Sequence, residues 1–177
     1  VTEQVGRGCL AAPGVATDVN LKKIIDNLRD SKALSPKIRG ELAKKILDNS
    51  YYGYGLVSNQ KIDEINILNA SLLAMKRAIL NLPIKPTLVL VDGIHKPDLE
   101  ISMRAIIGGD SSEDAISAAS IIAKVFRDDL MIKYEKKYPG YDFQSNKGYG
   151  TKYHLQALKD FESCPIHRKT FKGVPTT

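Results

Sequence analysis

Thr87-Leu88-Val89-Leu90-Val91-Asp92-Gly93 is the stretch on which the fold turns. A short uninterrupted apolar run closed by an Asp-Gly turn signal suits a strand buried on both faces, the usual state of a parallel strand in an α/β sheet. Asp92 then stands at the carboxyl end of that strand, on the crevice side where α/β sheets bind ligands. An Asp-Gly pair also opens ordinary turns, and the residues alone leave both readings open.

Working outward, Ile101 to Ile107 reads as a second strand. A helix is predicted from about Ser117 to Tyr138, apolar in its first half (Ala118, Ile121, Ile122, Val125) and basic in its second (Lys133, Lys136, Lys137), and ended by Pro139-Gly140. A last helix spans Thr151 to Phe161. Upstream, Ile65, Leu68, Leu72, Met75, Ile79 and Leu82 recur at spacings of three and four, which predicts one amphipathic helix from Ile62 to the stop at Pro83. Tyr51 to Val57 is aromatic-rich with two glycines and reads as a strand. Ser35-Pro36 is an N-cap followed by proline at the first helical position, with Leu34, Ile38, Leu42 and Ile46 on one face. Leu10 to Val19, broken by Pro13-Gly14, suits an irregular or edge strand. Strands alternating with helices give an α/β class.

The chain has 177 residues, 43% hydrophobic and 26% charged, which suits one globular domain with a small appendage rather than a disordered chain. No apolar run approaches the roughly 20 residues of a membrane span, and no signal segment is recognisable. Cys9 and Cys164 make neither a disulfide framework nor a CxxC metal site, so a reduced, cytoplasmic setting is the expectation. The net charge of +6 favours a polyanionic partner without selecting one.

Three carboxylates stand out: Asp92, Asp110 after Gly108-Gly109, and Glu3 near the start. Each has a plain alternative, as a turn, an exposed acidic loop and a surface terminus. If they meet, oxygen donors of this kind suit hard divalent cations, and a basic chain suggests phosphodiester chemistry. Gly6-Arg7-Gly8 can set backbone N–H groups and a guanidinium against a sugar-phosphate. Lys147-Gly148-Tyr149-Gly150 places a ring that can stack on a base or sugar beside a lysine. Lys124 and Arg127, three apart, suit a phosphate or a solvated helix face.

Taken in order, these segments resemble the ribonuclease HII family. The resemblance rests on Val5-Gly6-Arg7-Gly8-Cys9, Asp30-Ser31-Lys32, Ile62-Asp63-Glu64-Ile65-Asn66, Leu90-Val91-Asp92-Gly93 and Ala118-Ala119-Ser120-Ile121-Ile122-Ala123-Lys124-Val125 with Arg127-Asp128. Tyr138-Pro139-Gly140-Tyr141, Lys147-Gly148-Tyr149-Gly150-Thr151 with His154, and Pro165-Ile166-His167-Arg168 complete it. It implies an RNase H-like α/β fold with a mixed central sheet flanked by helices, a core over residues 1–135 and a helical extension over 136–177 packing on the substrate cleft. It implies cleavage of RNA in RNA–DNA hybrids and on the 5′ side of single ribonucleotides in duplex DNA, with Mg²⁺ or Mn²⁺, by a monomer without membrane association.

The same resemblance places the third and fourth catalytic acids on Asp92 and Asp110, the ribonucleotide grip on Gly6, Arg7 and Gly8, and the sugar-stacking ring on Tyr149. It sets Lys32 near the nucleic-acid backbone, and Lys124 and Lys147 are the further lysines expected to bind nucleic acid. The first acidic pair, normally Asp-Glu, reads Glu3-Gln4. Glutamate is one methylene longer than aspartate, and Gln4 offers only a neutral oxygen. The expectation is a weakened enzyme, with a protein that binds such duplexes but cuts them poorly as the alternative. Ser112 stands where the family carries a basic residue.

Overall fold

The computed structural model describes residues 14–17, 34–171 and 173–174. Glu3, Gln4, Gly6, Arg7, Gly8 and Lys32 lie outside the described residues. The elements in order are β1 (Gly14–Thr17), α1 (Pro36–Asn49), β2 (Tyr51–Tyr54), α2 (Asn59–Leu80), β3 (Leu88–Asp92), β4 (Ser102–Ile106), α3 (Gly109–Ser112), α4 (Asp114–Lys137), α5 (Phe143–Asn146) and α6 (Lys152–Phe161).

β3 follows the expectation drawn from its apolar run. Val89 and Val91 are fully buried against Met75, Ala78, Ile79 and Leu82 from α2 and its end. Leu90, pointing the other way by the two-residue period of a strand, packs with Ile106 against a cluster built from Ala43 and Ile46 of α1 and Ile116, Ala118, Ala119, Ile121 and Ile122 of α4. Helices therefore cover both faces, which is why this strand carries no polar alternation. β3 pairs parallel with β4, Leu88 opposite Ser102 and Asp92 opposite Ile106, while β1 pairs antiparallel with β2. Among the described residues the strands thus form two two-stranded sheets, one antiparallel and one parallel. β2 is followed at once by Gly55, where a Cβ would come 1.9 Å from the Ala74 carbonyl oxygen, so the chain leaving β2 lies directly on the backbone of α2.

Several boundaries differ from expectation for local reasons. The helix expected from Ile62 begins at Asn59 behind the Ser58 cap and is interrupted at Asn66, whose φ is +64°. The Asn66 side chain caps the second part of α2 by accepting from the Asn69 N–H at 3.0 Å, the usual service of asparagine at a helix start. The interruption shifts the helical phase, leaves Leu68 44% exposed, and hands the buried face to Ala70, Ala74, Met75, Ala78 and Ile79. α1 begins behind Ser35 as expected, but Ala43 and Ile46 are its buried residues and Ile38 is 47% exposed. α4 starts at Asp114 rather than Ser117 and runs unbroken through residues 135 and 136.

Beyond α4, Tyr141, Phe143, Ala157, Leu158 and Ile166 bury themselves around Met131 of α4. This last part is tied back to the start of α2. Asn59 donates to the carbonyls of Pro165 (2.9 Å) and His167 (2.8 Å), and Asp63 accepts from the N–H groups of Lys169 (2.8 Å) and Thr170 (3.1 Å).

Candidate nuclease site

Asp92 is the last residue of β3, and Asp110 lies in the single turn of α3. The chain returns from β4 so that the Gly109 N–H donates to Asp92 Oδ1 at 2.8 Å. The two acids are therefore adjacent in space, joined through the residue before Asp110. Asp110 is only 4% exposed, so the plain reading of an exposed acidic loop does not hold. Its Oδ1 lies 3.4 Å from the Ser111 hydroxyl, which donates to it. Gly109 is the only residue type this junction admits without rearrangement, because a Cβ there would come 2.3 Å from Ile116 Cδ1 and 3.5 Å from Asp92 Oδ1. Among the described residues Asp92 Oδ2 has no hydrogen-bond partner, and no group of three or more His, Cys, Asp or Glu side chains gathers. What the fold shows is two carboxylates, one buried and one anchored by a backbone N–H, at the end of β3 and the start of α3.

A second constellation forms around Tyr149. Tyr149 is 49% exposed, and the Arg127 guanidinium sits 5.3 Å from its ring centroid. Arg127 is only 1% exposed, and among the described residues its Nε, Nη1 and Nη2 have no hydrogen-bond partner. The loop that carries the ring is organised by Asn146, a buried side chain that donates to the Tyr141 carbonyl (2.6 Å) and accepts from the Gly148 N–H (2.8 Å). Lys147 holds a positive φ of 51° at the end of α5 and is half-buried. Lys124 does not stand free on its helix face: its Nζ meets Asp128 at 2.6 Å, and Arg39 approaches the same carboxylate at 3.8 Å.

The structural work of Asn59, Asn146, His154 and His167 is not visible in the sequence. The Asn-Lys-Gly run at 146–148 was the one available signal, since asparagine before a glycine often hydrogen-bonds its own turn.

The family model described as Ribonuclease HII matches residues 2–174. The ribonuclease HII of Pediococcus pentosaceus is 49% identical over 176 residues, covering 98% of this chain and 69% of that protein. The crystal structure of ribonuclease H2 from Pyrococcus horikoshii superposes with a TM-score of 0.84 at 29% identity, over 97% of this chain and 92% of that one. Bst-RNase HIII in complex with Mn²⁺ shares the fold, with a TM-score of 0.73 at 14% identity over 97% of this chain and 66% of that one. With the match running almost from end to end, and with Asp92 and Asp110 brought together by the fold, this chain belongs to the ribonuclease HII family.

Proposed function

We propose that the chain is an endoribonuclease that hydrolyses the RNA strand of RNA–DNA hybrids and cuts on the 5′ side of a single ribonucleotide in duplex DNA, leaving a 3′-hydroxyl and a 5′-phosphate. The observation that carries it is family membership over residues 2–174, reinforced by the Asp92–Gly109 bond that sets one acid beside the other.

The donors present suit a hard divalent cation, Mg²⁺ or Mn²⁺. Asp92 and Asp110 offer carboxylate oxygens, no soft ligand stands among them, and Asp92 Oδ2 is uncommitted among the described residues. The structural relative that holds Mn²⁺ agrees in chemistry. In this reading Glu3 completes the ligand set, and Gln4 stands at the remaining catalytic position. A divalent cation held by these carboxylates would supply Lewis-acid polarisation of the phosphoryl group and a more acidic attacking water. The protein's own part is positional. The Gly109 N–H holds one Asp92 oxygen still, and α3 buries Asp110 so that its carboxylate points from a fixed backbone. Gly6, Arg7 and Gly8 grip the ribonucleotide and read its 2′-hydroxyl, the group that separates RNA from DNA. Tyr149 stacks on the sugar after the ribonucleotide, and Lys32, Lys124 and Lys147 face the phosphates. Lys124 reaches one only by sharing or leaving Asp128.

The test is a duplex carrying one ribonucleotide, incubated with the purified chain and Mn²⁺ or Mg²⁺. One nick on the 5′ side of the ribonucleotide is expected, with no cutting of the all-DNA duplex and none in chelator. Asp92→Asn and Asp110→Asn are each expected to lower the rate by at least about 100-fold, the order lost when reacting groups are misplaced. Equal cutting of both duplexes, or full activity in chelator, overturns the reading.

A further inference from the structure

The segment beyond α6 returns to the Tyr149 loop through two buried imidazoles. His154 Nδ1 lies 2.8 Å from the Tyr149 carbonyl oxygen, His154 Nε2 lies 3.1 Å from His167 Nε2, and the Cys164 N–H donates to His167 Nδ1 at 3.0 Å. A carbonyl only accepts, so His154 carries its proton on Nδ1 and accepts at Nε2. His167 must then donate from Nε2, which leaves its Nδ1 to accept from Cys164. This single set of tautomers satisfies all three contacts with both rings neutral. An added proton on His154 Nε2 would face the His167 N–H, and one on His167 Nδ1 would displace the Cys164 N–H and find only the Cys164 carbonyl oxygen, 3.3 Å away, to accept it.

The surroundings of His167 do not favour its charged form. Tyr141 and Phe143 pack their rings against both histidines, and the Cys164 sulfur lies 3.1 Å from His167 Nδ1. The Tyr141 hydroxyl is turned toward the carbonyls of Phe161 (3.3 Å) and Glu162 (3.1 Å). The neighbouring cations are Arg127, beneath Tyr149, and Arg168, whose guanidinium lies over Phe171. Of the acids on α2, Asp63 is engaged by Lys169 and Thr170 and Glu64 by Lys61.

What the pair holds is the Tyr149 peptide. The same carbonyl accepts from the Thr151 N–H at 2.8 Å, and the Tyr149 N–H donates to Asn146 at 2.8 Å. Glycines flank the tyrosine on both sides, and Gly148 sits at φ +81°. Such residues restrain little by themselves, so the placing of the ring depends on these external bonds.

We propose that His154 and His167 are positioning residues for Tyr149: the neutral pair fixes the carbonyl of the residue that meets the sugar after the ribonucleotide, and thereby sets the preference for ribonucleotide-containing over all-DNA duplex. The proposal rests on the sugar-stacking reading of Tyr149. The experiment separates the two. Equilibrium affinities for a single-ribonucleotide duplex and its all-DNA counterpart are measured in chelator, so that no cleavage intervenes, with thermal unfolding of each variant alongside. Tyr149→Ala and His154→Phe are each expected to lower the affinity ratio about tenfold, the scale of one lost hydrogen bond. His154→Asn, which keeps a donor where Nδ1 stood, is expected to restore most of it. The wild-type ratio is expected to fall as the pH is lowered toward 4, and the fall to be smaller in His154→Asn. An unchanged ratio in Tyr149→Ala overturns the stacking reading and the proposal with it. A lowered ratio in Tyr149→Ala beside a wild-type ratio in folded His154→Phe overturns the positioning role alone. Should His154→Phe not fold, nitrogen-15 NMR of the wild-type rings at pH 7 decides: Nδ1–H on His154 with Nε2–H on His167 supports the pair, and the reverse tautomers overturn it.

Discussion

The Gly109 N–H donates to Asp92 Oδ1 at 2.8 Å, so the end of β3 and the start of α3 are locked at the point where two acids must meet. The junction admits a side chain only if a neighbour moves, and the obstacle is one methyl group, Ile116 Cδ1, 2.3 Å from where a Cβ would stand. Gly109→Ala is expected to destabilise the protein by about 1–3 kcal/mol, the range for overpacking a full core. It should also cut the cleavage rate more than tenfold by shifting Asp110. Ile116→Val removes that methyl, so the double variant should recover most of both losses. Unfolding and single-turnover cleavage of the three variants check this. An Ile116→Val background that gives no relief would show that the glycine is needed for another reason.

Arg127 is a cation with almost no solvent and, among the described residues, no hydrogen-bond partner, lying under a tyrosine that is half open to solution. Burying such a charge opposes folding, whereas a cation beneath an aromatic face contributes about 0.5–2 kcal/mol. Arg127→Met keeps the length of the side chain and removes the charge. Its unfolding temperature is expected at or above that of the wild type, while affinity for ribonucleotide-containing duplex falls about threefold to tenfold. Because the guanidinium is covered, the salt dependence of binding should be unchanged. Lys147→Ala, at a half-exposed position, should instead flatten the slope by about one phosphate contact. A large loss of stability in Arg127→Met with unaltered affinity would reduce the arginine to a structural part.

The elements most legible in the sequence are those whose determinants are local. Ser35-Pro36 announces α1, Thr151 caps α6 by accepting from the His154 N–H, and the run at 88–91 reads as the doubly covered strand it is. Asn66 was not legible, because an asparagine inside an apolar period looks like a solvent-facing residue until its φ turns positive. Asp110 was legible as an acid but not as a buried one, since its burial comes from β4 returning beside β3 and not from its neighbours in the chain. The same holds for His154 and His167, which meet because the last segment packs on Tyr141 and Phe143 and is tied to α2 by Asn59 and Asp63.

The acidic pair at the start, Glu3-Gln4, departs from the family pattern in reach and in charge. Restoring it with Glu3→Asp and Gln4→Glu is expected to raise the Mg²⁺-supported rate about tenfold or more, since displacements of about 1 Å at reacting groups reach 100-fold. Unfolding in the absence of metal should change little. The comparison is a metal titration of cleavage for both proteins. An identical rate at every concentration would mean that these two positions do not hold the ion.

Asp63 offers a local test of the tie between α2 and the last segment. Burial works to raise its pKa. The Thr170 hydroxyl, the N–H groups of Thr170 and Lys169, and the Arg168 charge outweigh that and hold it below the usual carboxylate value. A lowered folded pKa means stability that is fully present above the ordinary carboxylate range and is lost as the pH falls through the folded value. Asp63→Asn should cost about 1–2 kcal/mol at neutral pH, in keeping with bonds to a charged acceptor. Amide exchange at Lys169 and Thr170 is the direct measurement. Protection there should drop first in the variant, and in the wild type on acidification. Protection equal in both proteins at pH 7 would sever the tie.

His167 gives the widest pH effect. Burial, then the neighbouring His154, lower its pKa from 6.5 to about 4, against a smaller upward pull from the Cys164 backbone. The folded protein thus takes up its proton later than the unfolded chain does. Stability from this group is complete above pH 6.5, declines as the unfolded chain protonates below that, and reaches its floor near pH 4. The difference corresponds to a loss of the order of 3 kcal/mol across the window. Denaturant unfolding at steps between pH 7.5 and 4 measures the decline, and His167→Gln, which cannot titrate there, should be less stable at neutral pH but flatter through the same range. Parallel curves for the two proteins would place the acid-sensitive group elsewhere.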